Sequence, residues 1–169
     1  MALRTDKRSS STIRPISIDQ SLLSRDGSAR FNFGNSSVLC SINGPAEVKL
    51  RDEKLDKATI DVLVKPLVGT TAGLHPRTQI QIVSQVMMDD GSIVAAAINA
   101  TTIALINAGI PMKDLVAAVS CVVNKDDKIL LDPTAQEMEN AKSIHTFAFD
   151  RTSSTLLFCE SLGLFTEEQ

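Results

Sequence analysis

Asp132 is the acidic side chain best placed to do chemistry. It stands in Leu131-Asp132-Pro133-Thr134, where an apolar run gives way to a short polar segment. A carboxylate there can take a proton or bind a metal ion, or it can hold a turn and cap the helix that follows. Lys49, Arg51, Lys54 and Lys57 supply cations within one charged run, but Asp52, Glu53 and Asp56 are interleaved with them. Such a run reads first as a solvated loop. Arg77 stands alone before an apolar segment. His75 and His145 are far apart in sequence and lack Cys or carboxylate neighbours at ligand spacing, which is a weak basis for a metal site. Cys40, Cys121 and Cys159 are odd in number, widely spaced and set in apolar segments. That pattern fits buried, reduced thiols better than a disulfide framework or a metal centre. A Cys–His nucleophile would have to draw on Cys40 or Cys121 with His145, and no residue beside them marks an activated thiolate.

The elements that would carry these residues can be read from periodicity. Gly27 to Gly34 alternates and ends at Gly34-Asn35, and Val38 to Ile42 runs apolar until Asn43-Gly44-Pro45 breaks it, giving two strands and a tight turn. Ala58 to Leu67 reads as a third strand. Thr78 to Met88 is a fourth, with Ile80, Ile82, Val86 and Met88 on one face and Gln79, Gln81 and Gln85 on the other. After Asp89-Asp90-Gly91, the segment Ser92 to Ala108 is Ala-rich and apolar nearly all round. This predicts a buried helix with Ser92 near its N-cap and Gly109 as its stop. Ala117–Val123 and Lys128–Leu131 form a hairpin around Lys125-Asp126-Asp127. A short polar helix follows Asp132-Pro133-Thr134, and Ile144–Phe149 pairs with Thr155–Cys159. The class is α+β: sheets built from consecutive hairpins around one buried helix. Thr166-Glu167-Glu168-Gln169 has the spacing of a capping box.

Composition narrows the function classes. The chain has 169 residues, 43% hydrophobic content and a net charge of −3. This suits one globular domain and does not advertise nucleic-acid binding as a whole-chain property. No apolar run approaches the ~20 residues of a membrane span. The first twelve residues lack the apolar stretch of a secretory signal and read as a solvated, mobile tail. Charge is uneven: residues 1–30 carry six Lys/Arg against three Asp, and residues 125–169 carry four basic against nine acidic side chains. With no Trp or Tyr, base stacking could use only six Phe, most at core-like positions.

Several segments, taken in order, resemble the RNase PH family. They are Ile13-Arg14-Pro15-Ile16, Gly27-Ser28-Ala29 through Phe33-Gly34, and Val38-Leu39-Cys40 leading to Gly44-Pro45-Ala46-Glu47. Then come Leu74-His75-Pro76-Arg77-Thr78, Ile98-Asn99-Ala100, Ala108-Gly109-Ile110-Pro111-Met112 and Leu131-Asp132-Pro133-Thr134. The versions at 74–78 and 131–134 look most like the catalytically silent ring subunits of the eukaryotic RNA exosome. The resemblance implies an RNase PH-like fold (ribosomal protein S5 domain 2-like), mixed sheets with a buried central helix, over residues 13–169 behind a flexible tail at 1–12.

It also implies what a working site would contain. Active members hold phosphate with the Arg of a Gly-Thr-Arg-Thr segment entering the buried helix, and they carry two aspartates spaced by six. Here Val94 stands at the Arg position; Asp132 matches the first aspartate and Met138 replaces the second. An apolar side chain cannot give a guanidinium's paired donors, nor can Met replace a carboxylate. Asp132 is then a vestigial candidate, read as a turn and capping residue. The family's usual helix before the 74–78 strand has only Val68 to Gly73 in which to form, too few residues for a packed helix. With a C-terminal helix also missing, the reading is a shortened form with sheet faces left open.

The leading expectation is a non-catalytic subunit of a hexameric ring. Its partners would be other RNase PH-like exosome subunits, S1/KH-type cap subunits and single-stranded RNA, with no membrane and no cofactor. Lys49, Arg51, Lys54 and Arg77 would be the RNA-contact candidates, and the location would be nucleus, nucleolus and cytoplasm. Two alternatives remain open at this point: an active phosphate-dependent 3′→5′ exoribonuclease using Asp132, and a free-standing RNA- or DNA-binding module.

Overall fold

A computed structural model describes Arg4 and residues 6–47, 59–62 and 78–164. In chain order the elements are β1 (Ile16–Gln20), β2 (Gly27–Phe33), β3 (Ser36–Glu47), β4 (Thr59–Val62), β5 (Thr78–Met88), α1 (Ile93–Asn107), β6 (Val116–Val123), β7 (Ile129–Leu131), α2 (Ala135–Glu139), β8 (Ser143–Asp150) and β9 (Leu156–Gly163). They form a five-stranded sheet in the order β1-β2-β3-β5-β4 and a four-stranded sheet in the order β7-β6-β8-β9. All pairings are antiparallel except β4 with β5, which are parallel. The α+β class read from the sequence is the one observed.

The core lies around α1, which packs on β2 and β3 of the first sheet and on β6 of the second. Ala95, Ala96, Ile98, Ala100, Ala104 and Leu105 are fully buried against Phe31, Val38, Cys40, Ile42, Ile80 and Ile82. Small side chains let the helix come close: a Cβ on Gly27 would lie 2.5 Å from both Ala104 O and Ala108 Cβ. The helix ends as predicted. Gly109 has φ +66°, its N–H bonds Ile106 O, and Ile110 N–H bonds Leu105 O, which together satisfy the last carbonyls. Toward the second sheet, Asn99 brackets Ala118, its amide donating to Ala118 O at 3.0 Å and its carbonyl accepting Ala118 N–H at 2.8 Å.

The structure corrects several expectations. Asn43-Gly44-Pro45 does not end the strand. The β3–β5 ladder shifts register between Asn43 and Ala46 and then continues. Gly44, at φ +124° and with no room for a Cβ against Gln79 O, makes that shift possible. Val86 and Met88 are exposed, because β5 runs on past the helix; Ser84 is the last residue of that face to be buried. Ser92 occupies the N-cap position of α1 but does not cap it, since it sits at φ +58° and its hydroxyl donates to Pro133 O at 3.3 Å. Cys159 is exposed, unlike Cys40 and Cys121. The tail expected over residues 1–12 is docked where it is described: Arg4 and Arg8 reach acidic partners near α2, and Ser10 C=O accepts Leu131 N–H at 2.8 Å. The connection 63–77, where the family's helix was expected to be missing, and the capping box at 166–169 lie outside the described residues. Leu156, Leu157, Leu162 and Leu164, on or just beyond β9, are all exposed.

Candidate functional site

Two backbone turns meet at the entrance to α1. The β5–α1 turn places Gly91, at φ +85°, directly against Pro133 O, where a Cβ would approach to 2.5 Å. The β7–α2 connection brings Asp132 and Pro133 to the same spot. Beside this junction opens a cleft of about 370 Å³, lined by Asp89, Gly91, Ser92, Ile93, Val94, Ser120, Ala135, Met138, Glu139 and Thr146. Val94 and Met138, singled out on different segments, therefore line one cleft. Its polar side chains are Ser92, the paired hydroxyls of Ser120 and Thr146, 3.0 Å apart, and the carboxylates of Asp89 and Glu139. Among the described lining residues there is no Lys, Arg or His.

Asp132 does not line the cleft. It is 1% exposed, at φ +49°, and its carboxylate is taken up by Arg14. Arg14 Nη2 donates to Oδ1 at 2.7 Å, and Nε and the backbone N–H both donate to Oδ2, at 2.9 and 2.8 Å. The same guanidinium reaches Asp90 O at 2.7 Å, tying the two turns together. Arg8 lies 3.4 Å from Asp132 Oδ2 and donates to its C=O at 3.2 Å. Burial pushes the Asp132 carboxyl up, but the bonds and charge of Arg14, with a smaller share from Ser92, outweigh it and hold the group below the ordinary carboxylate range. A carboxylate so engaged is a poor proton acceptor.

Nor does Asp132 cap α2. The N-cap is Thr134, whose N–H donates to Glu137 Oε2 at 2.9 Å. Arg4 grips the same Glu137 with Nε on Oε1 at 2.7 Å and Nη2 on Oε2, and it also donates to Leu131 O at 2.8 Å. The Arg4 bond raises the guanidinium's pKa. Burial pushes the Glu137 carboxyl up, but Arg4 and the Thr134 N–H outweigh it. Sequence reasoning missed Arg4, Arg8 and Glu137; the one available signal was Glu137 three residues after Thr134.

Lys49, Arg51, Lys54, Arg77 and His75 lie outside the described residues. His145 is held by two serines, Ser143 Oγ at 2.9 Å from Nε2 and Ser161 Oγ at 2.8 Å from Nδ1. Cys121 is its cross-strand neighbour, but burial, with a smaller effect of Cys159, pushes that thiol up, away from thiolate. Cys40 instead contacts Thr101 and Ser84. Among the described residues, no three His, Cys, Asp or Glu side chains gather in a way that could hold a metal ion.

Two sheets around an Ala-rich helix, with a cleft at that helix's entrance, define an RNase PH-type domain. The chain belongs to this 3′ exoribonuclease family: the domain 1 model matches residues 12–73 and 60–111, and the domain 2 model matches 114–169. It is 35% identical to exosome complex component rrp46 of Schizosaccharomyces pombe, over 87% of this chain and 76% of the relative. It is 33% identical to the exosome complex exonuclease RRP46 homolog of Oryza sativa, over 86% and 70% respectively. The crystal structure of rice Rrp46 superposes with a TM-score of 0.89 at 30% identity, covering 98% of this chain and 88% of that one. An archaeal exosome core chain, at 18% identity and a TM-score of 0.81, shares the fold.

Proposed function

We propose that this chain is a structural subunit of an exosome core ring, serving 3′→5′ RNA processing and degradation without phosphorolysis of its own. The observation that carries this reading is the cleft at the entrance to α1. Val94 and Met138 line it, the charged groups among its described residues are carboxylates, and Asp132 is not among its lining residues but is engaged by Arg14. Orthophosphate is a dianion at neutral pH for much of its population. A site for it needs guanidinium or ammonium groups in a preorganised arrangement, and acidic side chains oppose it. The S. pombe relative, named an exosome complex component, and the rice one, named an exosome complex exonuclease homolog, support placing the chain beside other RNase PH-like subunits. Cap subunits of the S1/KH type and single-stranded RNA complete the proposed partners, with Lys49, Arg51, Lys54 and Arg77 as the RNA contacts. The proposed sites of action are nucleus, nucleolus and cytoplasm.

Two experiments test the reading. Purified protein with a 3′-ended RNA and inorganic phosphate should release no nucleoside diphosphates; phosphate-dependent release overturns the non-catalytic assignment. A tagged chain isolated from cells should bring down RNase PH-like ring subunits. Recovery without them, together with salt-sensitive RNA or DNA binding by the isolated chain, would establish a free-standing module instead.

A further inference from the structure

The docked N-terminal segment carries a run that the ring function leaves unused: Lys7-Arg8 followed by Ser9-Ser10-Ser11-Thr12. All four hydroxyl residues are exposed, but their hydroxyls differ. Ser9 Oγ lies 3.4 Å from Ser11 Oγ and 2.5 Å from Thr12 Oγ1, so these three satisfy one another. The Ser10 hydroxyl has no partner among the described residues. Ser10 is held through its backbone, by the bond from Leu131 N–H to its C=O. It therefore presents an exposed hydroxyl preceded by two cations, two and three residues back. Kinase clefts lined by carboxylates select this pattern, because each cation can form a charge-assisted pair there.

We propose that Ser10 is a phosphorylation site for a Ser/Thr kinase of basic specificity, and that the modified segment leaves its seat against β7 and α2. In the transfer, Ser10 Oγ attacks the γ-phosphorus of a nucleoside triphosphate. The Oγ–P bond forms as the bond from that phosphorus to the bridging β-oxygen breaks, the nucleoside diphosphate departs, and the hydroxyl proton passes to the kinase's base.

Docking and modification compete for Arg8. Its guanidinium donates to Thr12 O at 3.0 Å and Asp132 O at 3.2 Å, and it pairs with Asp6 and Asp132. A kinase that reads Arg8 must withdraw it from Asp132. After transfer, phosphoserine brings a charge of about −1.5 to −2 within reach of Arg8. The surrounding cluster already sets Asp6, Asp90, Asp132 and Glu137 against Arg4, Arg8 and Arg14. Added negative charge repels those carboxylates, and Arg8 turned toward phosphate no longer holds Asp132. The phosphate thus traps the lifted segment.

The test uses the full-length chain, ATP and the catalytic subunit of cyclic-AMP-dependent kinase, with the site mapped by mass spectrometry. Phosphate should appear on Ser10, vanish in Ser10→Ala, and fall roughly tenfold in Arg8→Ala, which removes a determinant paired in the kinase cleft. Arg4→Ala and Glu137→Gln, which loosen the docked segment but keep Lys7-Arg8, should both speed incorporation severalfold. In the phosphorylated chain the Leu131 amide should exchange roughly tenfold faster, having lost its acceptor. Phosphate found elsewhere, or indifferent to Arg8, overturns the site. Slower incorporation into both loosened variants overturns the competition, and an unchanged Leu131 amide overturns the release. Ser10→Ala keeps the backbone bond to Leu131, so its loss of phosphate would not be a folding effect.

Discussion

Asp132 and Arg14, 118 positions apart, meet as a two-pronged pair, with Nη2 on Oδ1 at 2.7 Å and Nε on Oδ2 at 2.9 Å. Both side chains are withdrawn from water, at 1% and 7% relative exposure. The pair therefore acts as a structural rivet: it joins the segment before β1 to the β7–α2 connection, and through Asp90 O to the start of α1. Its geometry is the planar fork that Arg, and not Lys, can offer a carboxylate.

Removing one partner leaves the other buried and uncompensated. Asp132→Ala should cost about 3–5 kcal/mol of folding stability, the range for a broken buried ion pair. Arg14→Lys should cost a substantial part of this, because an ammonium cannot supply the fork. Urea denaturation of the purified variants measures both; a loss below about 1 kcal/mol for Asp132→Ala would place the pair among surface bridges in energetic terms.

The same network sets a pH dependence. Unfolded, Asp132 and Glu137 take up protons near their ordinary values of 3.8 and 4.5, whereas in the folded chain both titrate lower. As pH falls through this window the unfolded state binds more protons, so the equilibrium shifts toward it. The contribution of the two carboxylates is complete above the unfolded values and is lost as pH drops through the folded ones. Urea midpoints taken from about pH 7 down to about pH 3 should fall steeply at the acid end. Asp132→Asn, already weakened at neutral pH, should show a shallower fall. Arg4, whose pKa is raised by its bond to Glu137, is protonated in both states across this range and gives no counter-slope.

What could be read from the sequence was local. The Ala-rich run and Gly109 mark α1 because propensity and the stop act within a few residues, and Ile80 and Ile82 show the buried face of β5 by simple alternation. Val94 and Met138 were found through family spacing, and the fold brings them to one cleft. The misreadings share a cause: each depended on partners distant in sequence. Asp132 looks like a cap until Arg14 is seen, and residues 1–12 look like a tail until Arg4 meets Glu137, 133 positions away. Ser92 looks like an N-cap until Pro133 O takes its hydroxyl. At Asn43-Gly44-Pro45, local turn chemistry was read as a stop, but the β5 partner strand carries the ladder across it.

Gly27 offers a packing test that needs no charge. A methyl group there would press on Ala104 O and on Ala108 Cβ, each at 2.5 Å, so either β2 or the end of α1 must shift. Gly27→Ala should therefore destabilise the fold by about 1–3 kcal/mol, as overpacking does. The paired variant Gly27→Ala with Ala108→Gly should recover only part of the loss, because the Ala104 carbonyl remains in place. Denaturant midpoints of the three proteins decide this; full recovery would mean that the side-chain contact alone sets the spacing.

The three cysteines should separate by reactivity. Burial pushes the Cys40 thiol up, only partly opposed by bonds to Thr101 and Ser84 hydroxyls, and Cys121 is pushed up by burial and then by Cys159. Cys159 is exposed on β9. Because the thiolate is the reactive form and must also be reached, an aromatic disulfide reagent should meet one fast thiol in the native chain, and all three after unfolding. Cys159→Ser should abolish the fast phase and leave Cys40 and Cys121 slow, since burial still covers both. A fast phase that survives this substitution would mean that β9 opens readily and uncovers Cys121, the buried cysteine on the same sheet.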